Sequence, residues 1–164
     1  MEDAAELTVR TERGFRQGGW GLTPVREGLT VGLCRERAVS FPGGNAGEVL
    51  GVDYTGCTQL SIRIAAPVEL ESEGDRIFAE HAEWIRRTHH RSGERALLQY
   101  VVAKRPARDG VVVFHLTEIY QSPAGVADHL EQAQQWDTVD AWNAWFARCQ
   151  VKITHDAVVQ QSLW

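Results

Sequence analysis

The sequence predicts an α+β domain, and three observations carry that prediction. Across residues 58–164, segments with the two-residue alternation of a strand are interspersed with segments that have the helical period of 3.6. Their order is strand, helix, strand, strand, helix, short helix, strand, which is that of a ferredoxin-like split β-α-β-β-α-β sheet with helices on one face. The composition, 43% hydrophobic and 24% charged over 164 residues, suits one domain that buries its own core.

Residues 1–57 read as an N-terminal β-rich extension: "AELTVRTE" and "GLTVGLCRERAVSF" are strand-like runs broken by glycine, followed by the loop "PGGNAGEVLG". The pattern sharpens at Thr58. In "TQLSIRIA", Leu60, Ile62 and Ile64 alternate with Gln59, Ser61 and Arg63, as in a half-buried strand. "ESEGDRIFAEHAEWIRRTHHR" places Ile77, Phe78, His81, Trp84, Ile85 and Thr88 on one helical stripe, with acidic residues early and basic residues late, as the helix dipole favours. "RALLQYVVAKRP" and "GVVVFHLTEIYQ" are β-rich runs joined through the turn signal "PARDG", and an antiparallel hairpin is predicted. In "SPAGVADHLEQAQQW", Ser122 is placed to cap a helix and Pro123 fits its first position. Val126, His129, Leu130 and Ala133 then share the buried face, which raises the question of what a histidine does there. "TVDAWNAWFARC" reads as a short helix after Thr138, and "QVKITHDAVVQQSLW" returns to strand character. Because Phe114, Leu116 and Tyr120 are too apolar to leave in water, the sheet face away from the helices is predicted to need a cover, by a second subunit or by the N-terminal extension.

A net charge of −5 and a pI near 5.7 leave no basic stripe for nucleic acid or an anionic membrane surface. No apolar run approaches a membrane span, and the acidic start "MEDAAELTVR" lacks a hydrophobic signal core, so a cytoplasmic protein is predicted. Cys34, Cys57 and Cys149 are odd in number and widely spaced, which predicts reduced thiols and no disulfide. Glu80, His81 and Glu83 do not form a recognised ligand spacing, and no metal site is predicted. "PGGNAG" lacks the lysine and hydroxyl of a phosphate loop, and no G-x-S-x-G or Cys/His signature of a nucleophile occurs. His81, His115, His89 and His90 read as structural residues.

The run "FHLTEIYQSPAGVADHLEQA" resembles the dimeric α+β-barrel proteins, in particular the antibiotic biosynthesis monooxygenases, in a strand ending Glu-x-aromatic, a turn, and a helix with an Ala-x-His-Leu-like segment. The likeness extends from about Thr58 to the C-terminus. It implies a homodimer in which two sheets face each other as a barrel, each subunit holding a pocket between sheet and helices. The activities it implies are cofactor-independent oxygenation of an aromatic or polyketide-type small molecule, a cyclase or isomerase step on the same class, or a non-catalytic binding or assembly module. Val139 stands where heme-degrading relatives carry a pocket histidine, so heme is not expected, nor any other tightly bound cofactor.

Under that resemblance His129 is the catalytic candidate, a group of near-neutral pKa able to take a proton from a phenol or enol before dioxygen reacts. Tyr120 is the second candidate, as a donor to the developing oxyanion. Gln59 and Arg63 are candidate substrate-binding residues on the first strand, with Ser61 beside them. Trp84, Trp136 and Trp142, with Trp145 and Phe146 nearby, are candidates to sandwich a flat aromatic substrate.

Overall fold

A computed structural model of the protein describes residues 52–163. The N-terminal extension, apart from residues 52–57, lies outside the described residues. Four strands and three helices follow in the predicted order: β1 Thr58–Pro67, α1 Glu71–Thr88, β2 Leu97–Arg108, β3 Val111–Tyr120, α2 Pro123–Ala133, α3 Val139–Phe146 and β4 Gln150–Val158. A 3₁₀ turn, Val68–Leu70, leads into α1. The strands form one antiparallel sheet in the order β2-β3-β1-β4, the arrangement of a ferredoxin-like fold.

β1 and β3 pair without interruption from Thr58 opposite Tyr120 to Pro67 opposite Val111. The hairpin between β2 and β3 turns at Asp109 and Gly110, both with positive φ, 53° and 75°. Asp-Gly is the pair that tolerates a two-residue turn of this hand. The register of β2 slips between Arg105 and Arg108, around Pro106, which has no N–H to give the ladder.

Alternation decides which residues meet the helices. Thr58, Leu60, Ile62, Ile64 and Ala66 of β1 share a face with Val112, Phe114, Leu116, Glu118 and Tyr120 of β3, and all are buried. Phe114, Leu116 and Tyr120 are therefore covered by the protein's own helices, which corrects the expectation that they call for a second cover. The opposite face of β3 presents Val113, His115, Thr117 and Ile119.

Two glycines set how closely the helices approach. A Cβ on Gly74 of α1 would stand 2.5 Å from Trp145 Cζ2 and 2.9 Å from Phe114 Cζ, inside the main aromatic cluster. A Cβ on Gly125 of α2 would stand 2.7 Å from Tyr120 Cδ1. The bare backbone at Gly125 lets α2 settle against the end of β3 and brings His129, one turn further on, above Tyr120. Ser122 fixes the start of α2, accepting from the Ala124 N–H at 3.1 Å and donating to the Glu94 carbonyl at 2.9 Å.

Among the described residues no helix is long and apolar enough to cross a membrane. Cys149 is a free thiol, but Cys57 is fully buried and disulfide-bonded, which corrects the expectation of three reduced thiols. Spacing along a chain does not limit pairing across a fold.

Candidate functional site

The buried face that α1 and α2 lay on the sheet is not wholly apolar. α1 contributes His81 from its core stripe, its C-cap contributes His89, and α2 contributes His129. β3 meets them with Glu118 and Tyr120, and β2 with Tyr100. Glu118 and Tyr120 are wholly buried, and the three imidazoles are at most 8% exposed. Such groups are ordinarily satisfied by hydrogen bonds, and most of these are.

Tyr120 donates its hydroxyl to Glu118 Oε2 at 2.6 Å. His81 Nδ1 lies 3.0 Å from the Tyr100 hydroxyl. A chain of three contacts then orders the other rings. Thr88 donates its hydroxyl to the Trp84 carbonyl at 2.9 Å; its oxygen lies 2.9 Å from His89 Nδ1, and His89 Nε2 lies 2.8 Å from His129 Nδ1. Thr88 has a single hydroxyl proton and has given it to the carbonyl, so His89 Nδ1 carries the hydrogen toward Thr88. In a neutral His89, Nε2 is then the acceptor, and His129 Nδ1–H must be its donor. His129 Nε2 is left with a free lone pair. Among the described residues two buried side-chain polar atoms have no partner: Glu118 Oε1 and, beside the paired Tyr120, Thr58 Oγ1.

Tryptophans enclose the cluster. Trp84 stacks on Trp136 with centroids 5.4 Å apart and an interplanar angle of 23°, and its ring centre is 5.5 Å from His129 and 5.0 Å from His89. Trp136 and Trp142 stand 5.2 and 5.0 Å from His81. The rings displace water from around the polar groups and set their protonation. Burial, with the neighbouring imidazoles adding to it, holds His81 well below the usual histidine range. Burial brings His129 down to about 4 and, with His129 adding to it, His89 to about 3. Burial raises the Glu118 carboxyl to about 7, against the opposing pull of the Tyr120 hydrogen bond. Tyr100 and Tyr120 are raised, by burial first and then by the adjacent carboxylate. At neutral pH the rings and phenols are uncharged, so the 3.8 Å approach of His129 Nδ1 to Glu118 Oε2 is not an ion pair between two full charges. Glu118 is the one member that titrates near neutrality.

The structure brings His129 and Tyr120 together, with ring centroids 6.0 Å apart, and places Trp84, Trp136 and Trp142 around them. It does not bring Gln59 or Arg63 there. They pair with Ile119 and His115 on the other face of the sheet, and the thickness of the sheet separates them from His129. One residue of alternation decides this, because neighbours along a strand face opposite ways. Sequence reasoning missed Glu118, His81 and His89. The signal for Glu118 was its parity with Leu116 and Tyr120: an ionisable group on an apolar strand face. For His81 it was the apolar helical stripe that carries it. His89, just past the helix end, carries no such signal.

The expectation of no metal site rested on spacing along the chain. In space, one nitrogen each from His81 and His129 and one oxygen of Glu118 lie within 4.8 Å of one another, from three different elements. A scan against protein-family models, a search of curated proteins and a search of solved structures each return no match. Chemically, the arrangement offers a carboxyl poised near neutrality, imidazole lone pairs and neutral phenols in an aromatic enclosure. That set is equipped to take and relay a proton from a weakly acidic C–H or O–H.

Proposed function

We propose that the protein is a small-molecule enzyme working by proton transfer on an aromatic or polyketide-type substrate, and that it acts as a cofactor-independent monooxygenase. The observation that carries this reading is the convergence of Glu118, His129 and Tyr120 inside a tryptophan enclosure, with one carboxylate oxygen unpartnered. The resemblance of the β3–α2 segment supports it. Burial that depresses His129 shifts the base from the residue first singled out to its neighbour Glu118. His129 and His89 then serve as the hydrogen-bonded path along which the proton leaves. In the oxygenase reading the substrate is its own reductant. A CH₂ flanking a phenol or enol loses a proton, the carbanion reacts with dioxygen, and loss of water leaves a carbonyl, so that one oxygen atom enters the product and the other becomes water. Two sheets packing face to face in a homodimer complete the picture.

Oxygen uptake by the full chain with a panel of anthrones and quinols tests the reading, with Glu118→Gln as the control expected to lose turnover by about 100-fold or more. Product formation that continues without oxygen would assign a cyclase or isomerase step to the same base. No turnover across the panel in either atmosphere would overturn the enzymatic reading. A second reading is a binding or assembly module whose enclosure is filled by its own side chains, and the near-complete burial of the three imidazoles, Tyr120, Trp84, Trp136 and Trp142 favours it.

A further inference from the structure

We propose that His81, Glu118 and His129 form a binding site for one divalent first-row transition ion. The proposal goes beyond the proton-transfer reading and does not depend on it, although an ion in place would take Glu118 out of the role of free base.

Four observations converge. The three side chains come from α1, β3 and α2, and one donor atom of each lies within 4.8 Å of the other two. Ligands held at about 2.0–2.2 Å from a metal are about 3–3.5 Å from one another, so closure asks for side-chain rotations of about an ångström and no change of fold. Each of the three also makes one outward hydrogen bond that orients it: His81 to Tyr100, His129 to His89, and Glu118 to Tyr120. Metal ligands are typically held in this way, with the second ring nitrogen or second oxygen tied to a neighbour. Each residue also keeps one donor atom outside those hydrogen bonds. His129 Nε2 has a free lone pair by the proton count along Thr88 and His89, the described hydrogen bonds engage His81 only through Nδ1, and Glu118 Oε1 is buried with no partner.

The fourth observation concerns charge. Among the described residues, no lysine or arginine forms an ion pair with Glu118, and the one ionisable nitrogen within 4.0 Å is that of His129. A buried carboxylate without a cation is costly, and a metal ion would supply that cation. Two imidazoles and one carboxylate suit zinc, cobalt, iron or manganese. Calcium and magnesium, which prefer all-oxygen shells, fit poorly. Three protein ligands leave further positions open on the ion, as catalytic rather than structural sites do.

The experiment titrates Co²⁺ into full-length protein stripped with chelator. Expected are ligand-field absorption bands that saturate at one equivalent per chain, together with quenching of tryptophan fluorescence, because Trp84 and Trp136 ring centres lie 5.4 and 5.2 Å from His81. Zn²⁺ should displace the cobalt and abolish the bands. Glu118→Gln and His81→Gln should each weaken binding by at least about 100-fold, and Tyr120→Phe, which leaves all three donors, by about 10–100-fold. His115→Ala and His155→Ala, at exposed positions, should change nothing. Wild-type protein that shows no saturable bands up to millimolar Co²⁺ would overturn the proposal, and so would bands with unquenched tryptophan. The latter two readings use only the wild type, so they decide even if a ligand variant fails to fold. Binding is read without turnover, so a silent oxygen assay leaves this result standing, and absence of metal leaves the oxygen assay standing.

Discussion

Replacing Glu118 by glutamine should make the metal-free protein more stable, and by an amount that depends on pH in one direction. Glutamine keeps the shape of the side chain and an oxygen to accept from Tyr120, but it cannot ionise. In the native protein burial raises the Glu118 carboxyl from 4.5 to about 7. Below pH 4.5 the carboxyl is protonated in both the folded and the unfolded chain, and the native state carries no penalty from it. Between 4.5 and 7 the unfolded chain gives up its proton first, so stability falls as pH rises. Above 7 the whole displacement is expressed, on the order of 3 kcal/mol. The stability difference between Glu118→Gln and wild type should therefore grow by about 3 kcal/mol from pH 4 to pH 8.5. Urea unfolding in the presence of chelator would read this as a midpoint difference growing by about 1–3 M, given about 1–3 kcal/mol per molar urea. Any effect of the amide on packing is an offset common to all pH values. A difference that stays flat across this range, or shrinks as pH rises, would refute the assignment of Glu118 as a buried, cation-free carboxyl.

Three further outcomes follow from the packing. Gly74→Ala would press a methyl against the Trp145 and Phe114 rings and should cost about 1–3 kcal/mol in the same urea assay, although alanine is the better helix former. Ser122→Ala removes both the cap of α2 and the hydrogen bond to the Glu94 carbonyl and should cost about 1–2 kcal/mol, with tryptophan fluorescence near His129 reporting a loosened α2. The proposed homodimer should sediment at about twice 18.3 kDa at micromolar concentration, with Val101, 42% exposed, on the sheet face away from the described helices; a monomeric mass would refute it.

The elements were legible because their signals are local. Alternation in "TQLSIRIA", the Ser122–Pro123 start and the Asp109–Gly110 turn each follow from backbone sterics or from orphan N–H groups within a few residues. His129 was legible as an inward histidine for the same reason. Its partners were not, because His89, Glu118 and His81 are 40, 11 and 48 residues away along the chain, and only the packing of α1 and α2 on the sheet, with the close approach at Gly125, brings them together. Parity also explains the misplacement of Gln59 and Arg63. Alternation correctly separated them from Leu60 and Ile62, and the apolar set is the one that faces the helices and His129. The disulfide at Cys57 was hidden for a related reason, since cysteine spacing carries no information on which residues a fold brings together.

The question raised by an inward histidine has an energetic form that can be tested. A histidine retained only for packing would be expected to cost little, whereas this one is held far from its solution behaviour. Burial lowers His129 from 6.5 to about 4, so the unfolded chain binds a proton that the folded chain refuses throughout that interval. The native protein keeps its full stability with respect to this group above pH 6.5, loses it as pH falls toward 4, and at the lower end has given up on the order of 3 kcal/mol. Glu118 acts with the opposite sign from the other side, so the cluster works against folding at both ends of the range. An apolar core of the same volume would avoid both penalties. His129→Phe fills the space with a ring that cannot be protonated. Relative to wild type, the variant should gain stability as pH falls from 7.5 to 4, by up to about 3 kcal/mol, over a constant offset from the changed packing. Urea unfolding at closely spaced pH values measures the trend, and an offset that does not change with pH would show that His129 is not held neutral by burial.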